Sequence, residues 1–146
     1  MELDLAVKLA IYAHFAETAR RPAIAEVAGR AGVRVEDVRA AYGRLRAKRV
    51  LVLEEDGASI RMAPPFSGAP TQHVAVVGGK RYFANCAWDV LGVPAALRRE
   101  GTVESRCEQS GEPFRLAVGR DGPEPSDWLF HCAVPASQWW ADIVFT

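Results

Sequence analysis

The 146-residue chain has no run of about 18 consecutive apolar residues, so its sequence offers no membrane-spanning helix. Its start, MELDLAVKLAIYAHFAE, carries acidic residues where a secretory signal would be basic, and the expected address is cytoplasmic. Cysteine is scarce. The three present, Cys86, Cys107 and Cys132, are an odd number with no Cys-x-x-Cys pair, which argues against a disulfide framework. The histidines, His14, His73 and His131, are scattered, so a preformed four-ligand zinc site has no support either. Charge of one sign is also lacking, because 18 basic and 18 acidic residues cancel. Internal repeats and low-complexity segments are absent.

What is present suits folding. With 49% hydrophobic and 25% charged residues, the chain fits one globular domain or a small module joined to a slightly larger one. The charge is unevenly placed: residues 1–50 hold ten Lys/Arg against six Asp/Glu, and the remainder holds eight against twelve. That split hints at two modules.

Apolar residues at helical spacing predict a first helix over residues 3–19. Arg21-Pro22 separates it from a short second helix over 23–30, since proline excludes its predecessor from the helical region and suits a first turn. Gly32 ends that helix, and a third, opened by residues 33–37, runs through Val38, Tyr42 and Leu45 to about Lys48. Two apolar stretches, 50–53 and 59–62, flank an Asp56-Gly57 turn and read as a hairpin. Three helices and a hairpin make a winged helix-turn-helix-like pattern over residues 1–63. Such a module either binds DNA, with Arg34, Arg39, Arg44 and Arg46 on the third helix facing phosphate or bases, or packs against a neighbour. The modest charge favours the second reading, and nucleic acid is not an expected partner.

The proline-rich stretch 63–70 reads as a connector. Beyond it, 72–77 and 81–84 flank Gly78-Gly79 as a second hairpin. A helix starts near Asn85 and is expected to break at Gly92-Val93-Pro94 before 95–98. Strands are predicted over 102–106, 114–118, 128–134 and 142–145. The fold class is therefore α+β: the N-terminal module followed, over residues 64–146, by a small mixed sheet with one or two helices.

The spot richest in chemistry is Asn85-Cys86-Ala87-Trp88-Asp89. A thiol and a carboxyl three residues apart at a helix start share one face. Unsatisfied N–H groups in a first helical turn favour the thiolate, so Cys86 is expected to be reactive, with Asp89 as a proton carrier beside it. The same residues also read as a small buried hydrophobe and an ordinary dipole-compensating acid. Four tryptophans, Trp88, Trp128, Trp139 and Trp140, line a pocket or fill a core; Trp88 is the pocket candidate and is expected to point away from Cys86 and Asp89.

The run YFANCAWDVLGVPAAL, followed by VESRCEQSGEPFRL and HCAVPASQWWADIVFT, resembles the organomercurial (alkylmercury) lyases, closely over residues 81–113 and loosely over 1–63. The resemblance implies carbon–mercury bond cleavage in mercury resistance. It places that family's first catalytic cysteine on Cys86 and its aspartate on Asp89. Thiolates bind soft Hg(II), the carboxylic acid protonates the carbon, a hydrocarbon leaves, and the sulfurs keep the metal. The family's second cysteine follows a segment resembling 142–146, so the chain is expected to be truncated before it, with Cys132 as a substitute mercury-binding thiol. Cys107 matches a cysteine read as structural and is expected in the core. No resident cofactor is implied: Hg(II) is substrate and product, and low-molecular-weight thiols accept it. Partners expected are a small organomercurial or another soft ligand and such thiols. Alternatives are a non-catalytic soft-metal or thiol-binding protein and a winged-helix ligand-sensing regulator.

Overall fold

The computed structural model describes residues 2–144. Three helices come first: α1 (Leu3–Thr18), α2 (Ile24–Ala31) and α3 (Val35–Ala47). α1 buries Val7, Ala10, Ile11 and Phe15 along one stripe and stops at Ala19, whose N–H returns to the Phe15 carbonyl at 2.8 Å. At the start of α2 the Glu26 carboxylate accepts the N–H of Ala23 at 2.7 Å, satisfying a donor the helix cannot. Gly32 ends α2 at φ 70, a left-handed conformation that favours glycine. Asp4, nearly buried on α1, accepts from Arg44 at 2.7 Å and from Lys48 at 3.4 Å, tying the α3 end to the α1 start. Arg34 is paired with Asp37 at 3.0 Å. Two of the four arginines considered for nucleic acid are thus held by carboxylates, while Arg39 and Arg46 are exposed.

β1 (Val52–Leu53), β2 (Ile60–Ala63) and β3 (Phe66–Ser67) form a three-stranded sheet in that order. The proline-rich stretch is therefore more than a connector. Phe66 pairs with Ala63, bridges to Ala84, and is only 2% exposed. Its ring stacks on Phe15 with centroids 5.2 Å apart and sits 5.9 Å from Tyr82.

β4 (Val74–Val77), β5 (Lys80–Phe83), β6 (Gly101–Arg106), β7 (Pro113–Gly119) and β8 (Gly122–Pro123) build the second sheet, in the order β5-β4-β6-β7-β8. All recorded pairings are antiparallel. The expected two-glycine turn closes β4–β5, with Gly78 at φ 58 and Gly79 at φ 78, the positive angles that match the twist of a tight hairpin. The architecture is α+β, as expected.

α4 (Ala87–Leu97) packs on β4 and β6. It does not break at Gly92-Val93-Pro94. The helix carries Pro94 in its interior, and the reason is burial: Val90, Val93 and Pro94 all face the core, which offsets the hydrogen bond that proline cannot make. Arg98, in a left-handed conformation, ends it, with Arg99 N–H reaching the Pro94 carbonyl at 3.1 Å.

The strand expected over 128–134 is absent. The stretch is irregular and largely exposed, Leu129 by 90%, because an apolar run becomes a strand only where a sheet edge pairs with it, and among the described residues no ladder pairing includes this stretch. A 3-10 helix (Ala136–Ala141) follows. Of the strand expected over 142–145, residues 142–144 form a bend and a turn, while Phe145, like Thr146, lies outside the described residues. One hydrophobic cluster runs from Val7, Phe15 and Tyr42 through Phe66 to Ala75, Val90 and Val103, joining the helices to the second sheet.

Candidate active site

Cys86 is the N-cap of α4, with extended backbone at φ −154, so its side chain turns back over the first helical turn. Its Sγ accepts the N–H of Asp89 at 3.4 Å. Cys86 and Asp89 thus meet within one turn, through the sulfur and the Asp89 backbone N–H. The acid–base balance differs from the sequence expectation. Burial pushes the Cys86 thiol above the ordinary cysteine range, outweighing the pull of the Asp89 and Trp88 N–H groups, while the charges of Asp89 and Cys132 push it the same way as burial. Resting Cys86 is therefore a thiol at neutral pH, not the helix-stabilised thiolate.

Asp89 is held on α4 with its carboxyl largely out of water. Burial raises its pKa above the usual carboxylate range, and a hydrogen bond from Asn85 lowers it in part. Asn85 Nδ2 donates to Asp89 Oδ2 at 3.0 Å and to the Phe66 carbonyl at 3.1 Å. Tyr12, on α1, donates to the Pro64 carbonyl at 2.8 Å, and its hydroxyl is pushed up to about 12 by burial and then by the Asp89 charge. α1 thus reaches the site through the 64–66 turn.

Trp88 lies between Cys86 and Asp89 in sequence but turns outward, 57% exposed, with its ring centroid 5.4 Å from that of Phe130. This contact lays the 128–132 stretch beside the start of α4. Cys132, exposed two residues after Phe130, is near enough for its charge to bear on Cys86. Cys107 is not in the core. It is half-buried in the turn after β6, where the Ser110 hydroxyl and the N–H groups of Ser110 and Gln109 hold its thiol below the ordinary range. Trp139 donates to the Val134 carbonyl at 2.8 Å, and Trp128 packs on Phe114 at 5.0 Å.

Among the described residues no group of three or more His, Cys, Asp or Glu is placed to hold a metal ion. Two shallow surface grooves, one over Arg81, Glu104 and Arg115 and one between α1 and α2, include neither Cys86 nor Asp89. No helix among the described residues is long and apolar enough to cross a membrane.

Sequence reasoning gave no role to Asn85 or Tyr12. The Asn85–Asp89 spacing of four residues was a usable signal, since such pairs are neighbours on a helix. Tyr12 acts 52 residues away and left no local trace.

The profile of the family described as MerB: Alkylmercury lyase matches residues 66–146. The chain belongs to the alkylmercury lyase family. An alkylmercury lyase of Bacillus cereus is 32% identical over 126 residues, 79% of this chain and 57% of the relative, and one of Clostridium butyricum matches to the same extent. One of Streptomyces lividans is 42% identical over 52 residues, 36% of this chain and 24% of that one. The chain spans 57% of the length of the Bacillus and Clostridium relatives. Among solved structures, the mercury-bound form of MerB2 matches with a TM-score of 0.70 at 22% identity, covering 87% of this chain and 61% of that one. That likeness agrees with the alkylmercury lyase assignment at the level of fold.

Proposed function

We propose that the chain cleaves carbon–mercury bonds by protonolysis, with Cys86 as the mercury-binding sulfur, Asp89 as the proton carrier and Cys132 as the second thiol. The observation that carries this reading is the pairing of Cys86 and Asp89 within one helical turn, Sγ 3.4 Å from the Asp89 nitrogen. Family membership supports it independently.

The chemistry follows from the matching of soft partners. Hg(II) prefers sulfur to oxygen or nitrogen, so an organomercurial exchanges its leaving ligand for the Cys86 sulfur. The thiol proton passes to the Asp89 carboxylate, whose burial makes it willing to hold a proton. The exposed Cys132 thiol then binds the same mercury, releasing its own proton to water, and as a thiolate adds electron density to mercury and through it to carbon. Asp89 then gives its proton to that carbon. The carbon–mercury electron pair becomes the new C–H bond, the hydrocarbon leaves, and Hg(II) stays on the sulfurs with no change of oxidation state. Small thiols carry the metal away. The exposed rings of Trp88 and Phe130 flank this place and give the organic group an apolar surface.

The test is benzene release from phenylmercury acetate in excess small thiol, measured in the headspace. Release is expected from the unmodified chain, and Cys86→Ser and Asp89→Ala are each expected to slow it by about 100-fold or more. Stoichiometric mercury uptake through Cys86 without benzene would replace this reading with soft-metal capture.

A further inference from the structure

Asn85 sits where three independent demands meet. It immediately precedes the N-cap of α4, and its Nδ2 faces the Asp89 Oδ2 at 3.0 Å, the Phe66 carbonyl at 3.1 Å and the Pro65 carbonyl at 3.4 Å. Its Oδ1 is buried and has no hydrogen-bond partner. An unpaired buried acceptor is destabilising, so the position carries a cost that packing alone does not explain. Turning the amide over does not relieve it, since the oxygen would then meet two carbonyls and a carboxylate, all acceptors. The amide is therefore oriented by the 65–66 turn, with its donors committed to one direction.

We infer that Asn85 is a positioning residue for the proton transfer: anchored on the Phe66 carbonyl, it fixes the Asp89 carboxyl through Oδ2 and leaves Oδ1 as the oxygen that carries the proton. An N–H pointed at Oδ2 excludes a proton from that atom. The proton delivered to carbon thus leaves from Oδ1, the carbon–mercury pair forms the C–H bond, and the carboxylate that remains keeps its Asn85 hydrogen bond. A carboxyl free to rotate about its side-chain bonds would reach the same carbon from many directions, few of them productive. Asn85 touches no substrate in this scheme and acts through Asp89 alone. The inference rests on the protonolysis reading above.

The experiment uses the full chain loaded with one equivalent of phenylmercury, followed as a single turnover. In Asn85→Ala, phenylmercury uptake is expected to stay stoichiometric while benzene release slows by about 100-fold, the scale of an angstrom-level misplacement. In an Asp89→Ala background, adding Asn85→Ala is expected to cost nothing further. Unchanged release in Asn85→Ala overturns the inference, and so does an equal further loss in the Asp89→Ala background, which would mark a merely structural role. Should Asn85→Ala not fold, Asn85→Ser, which keeps a short donor toward the Phe66 carbonyl, gives the same comparison. No benzene from the unmodified chain sinks the protonolysis reading, and the placement of the Asp89 carboxyl by Asn85 is then tested by itself, because the Asp89 χ1 couplings measured by NMR read the positioning without turnover. One rotamer in the unmodified chain and averaged couplings in Asn85→Ala support it, and one rotamer in both overturns it.

Discussion

Cys86 and Cys107 show how environment separates two chemically identical side chains. Cys86 has a backbone donor at 3.4 Å yet loses its hydration, and burial decides the outcome by pushing its pKa up. Cys107 keeps contact with water in a turn whose Ser110 hydroxyl and neighbouring N–H groups all stabilise the anion, so its pKa moves down. Alkylation proceeds through the thiolate, and its rate rises with pH until the thiol is fully ionised. A lowered pKa brings that plateau to lower pH and a raised one delays it. In iodoacetamide labelling followed by peptide mass spectrometry, Cys107 is therefore expected to reach its limiting rate at a lower pH than Cys86, and to be the faster of the two near neutrality. Faster labelling of Cys86 at pH 7 would contradict the burial argument and restore the helix-terminus thiolate that its position in the sequence suggested. Mercury capture does not need that thiolate beforehand, because the bond to a soft metal displaces the proton onto a nearby base.

At the scale of elements, β3 and α4 locate the site. Phe66 holds β3 against α1 through Phe15 and Tyr12, the latter at 6.2 Å, and against β5 through Tyr82, while the carbonyls around it receive Tyr12 and Asn85. Phe66→Ala removes that ring from a packed core and is expected to cost about 3–5 kcal/mol of stability. Tyr12→Phe deletes one part-buried hydrogen bond and is expected to cost about 0.5–1.5 kcal/mol. Urea denaturation checks both, and a loss below about 1 kcal/mol for Phe66→Ala would show that the ring is not the keystone the packing implies. These contacts also mark where reading the sequence ran out. α1 to α3 and the Gly78-Gly79 turn were legible because their periodicity and turn chemistry are local. So was the Cys86–Asp89 pair, three residues apart on one helix. The continuity of α4 through Pro94 was not, since core burial overrides a local breaker, and the irregular 128–134 stretch has the composition of a strand but no pairing edge. Asn85 stood inside the quoted motif, yet its anchor on the Phe66 carbonyl lies 19 residues away and needed the fold to appear.

At the scale of the whole molecule, the division into residues 1–63 and 64–146 remains a proposal about architecture, and the packing makes a separate statement about stability. A single hydrophobic cluster spans both parts. Tyr82 donates to the Ala16 carbonyl at 2.6 Å and Tyr12 to the Pro64 carbonyl at 2.8 Å, so polar links cross the boundary as well. Elements that share one core lose their packing together, which makes unfolding cooperative across the boundary. The sequence supplies separate probes for the two parts. All four tryptophans lie beyond residue 63, whereas, among the described residues, three of the four α-helices, α1 to α3, lie before it. Tryptophan fluorescence thus reports on the part that carries Cys86 and Asp89, and helical circular dichroism chiefly on the N-terminal helices. The two signals are expected to follow one urea transition with one midpoint, and Phe66→Ala is expected to move both midpoints down together. Two separated transitions, with the helical signal surviving the loss of fluorescence change, would show that the N-terminal helices stand alone. In that event Tyr12 and the 64–66 turn could not transmit anything to Asp89, and the site would have to be rigid on the strength of the second sheet and α4 alone.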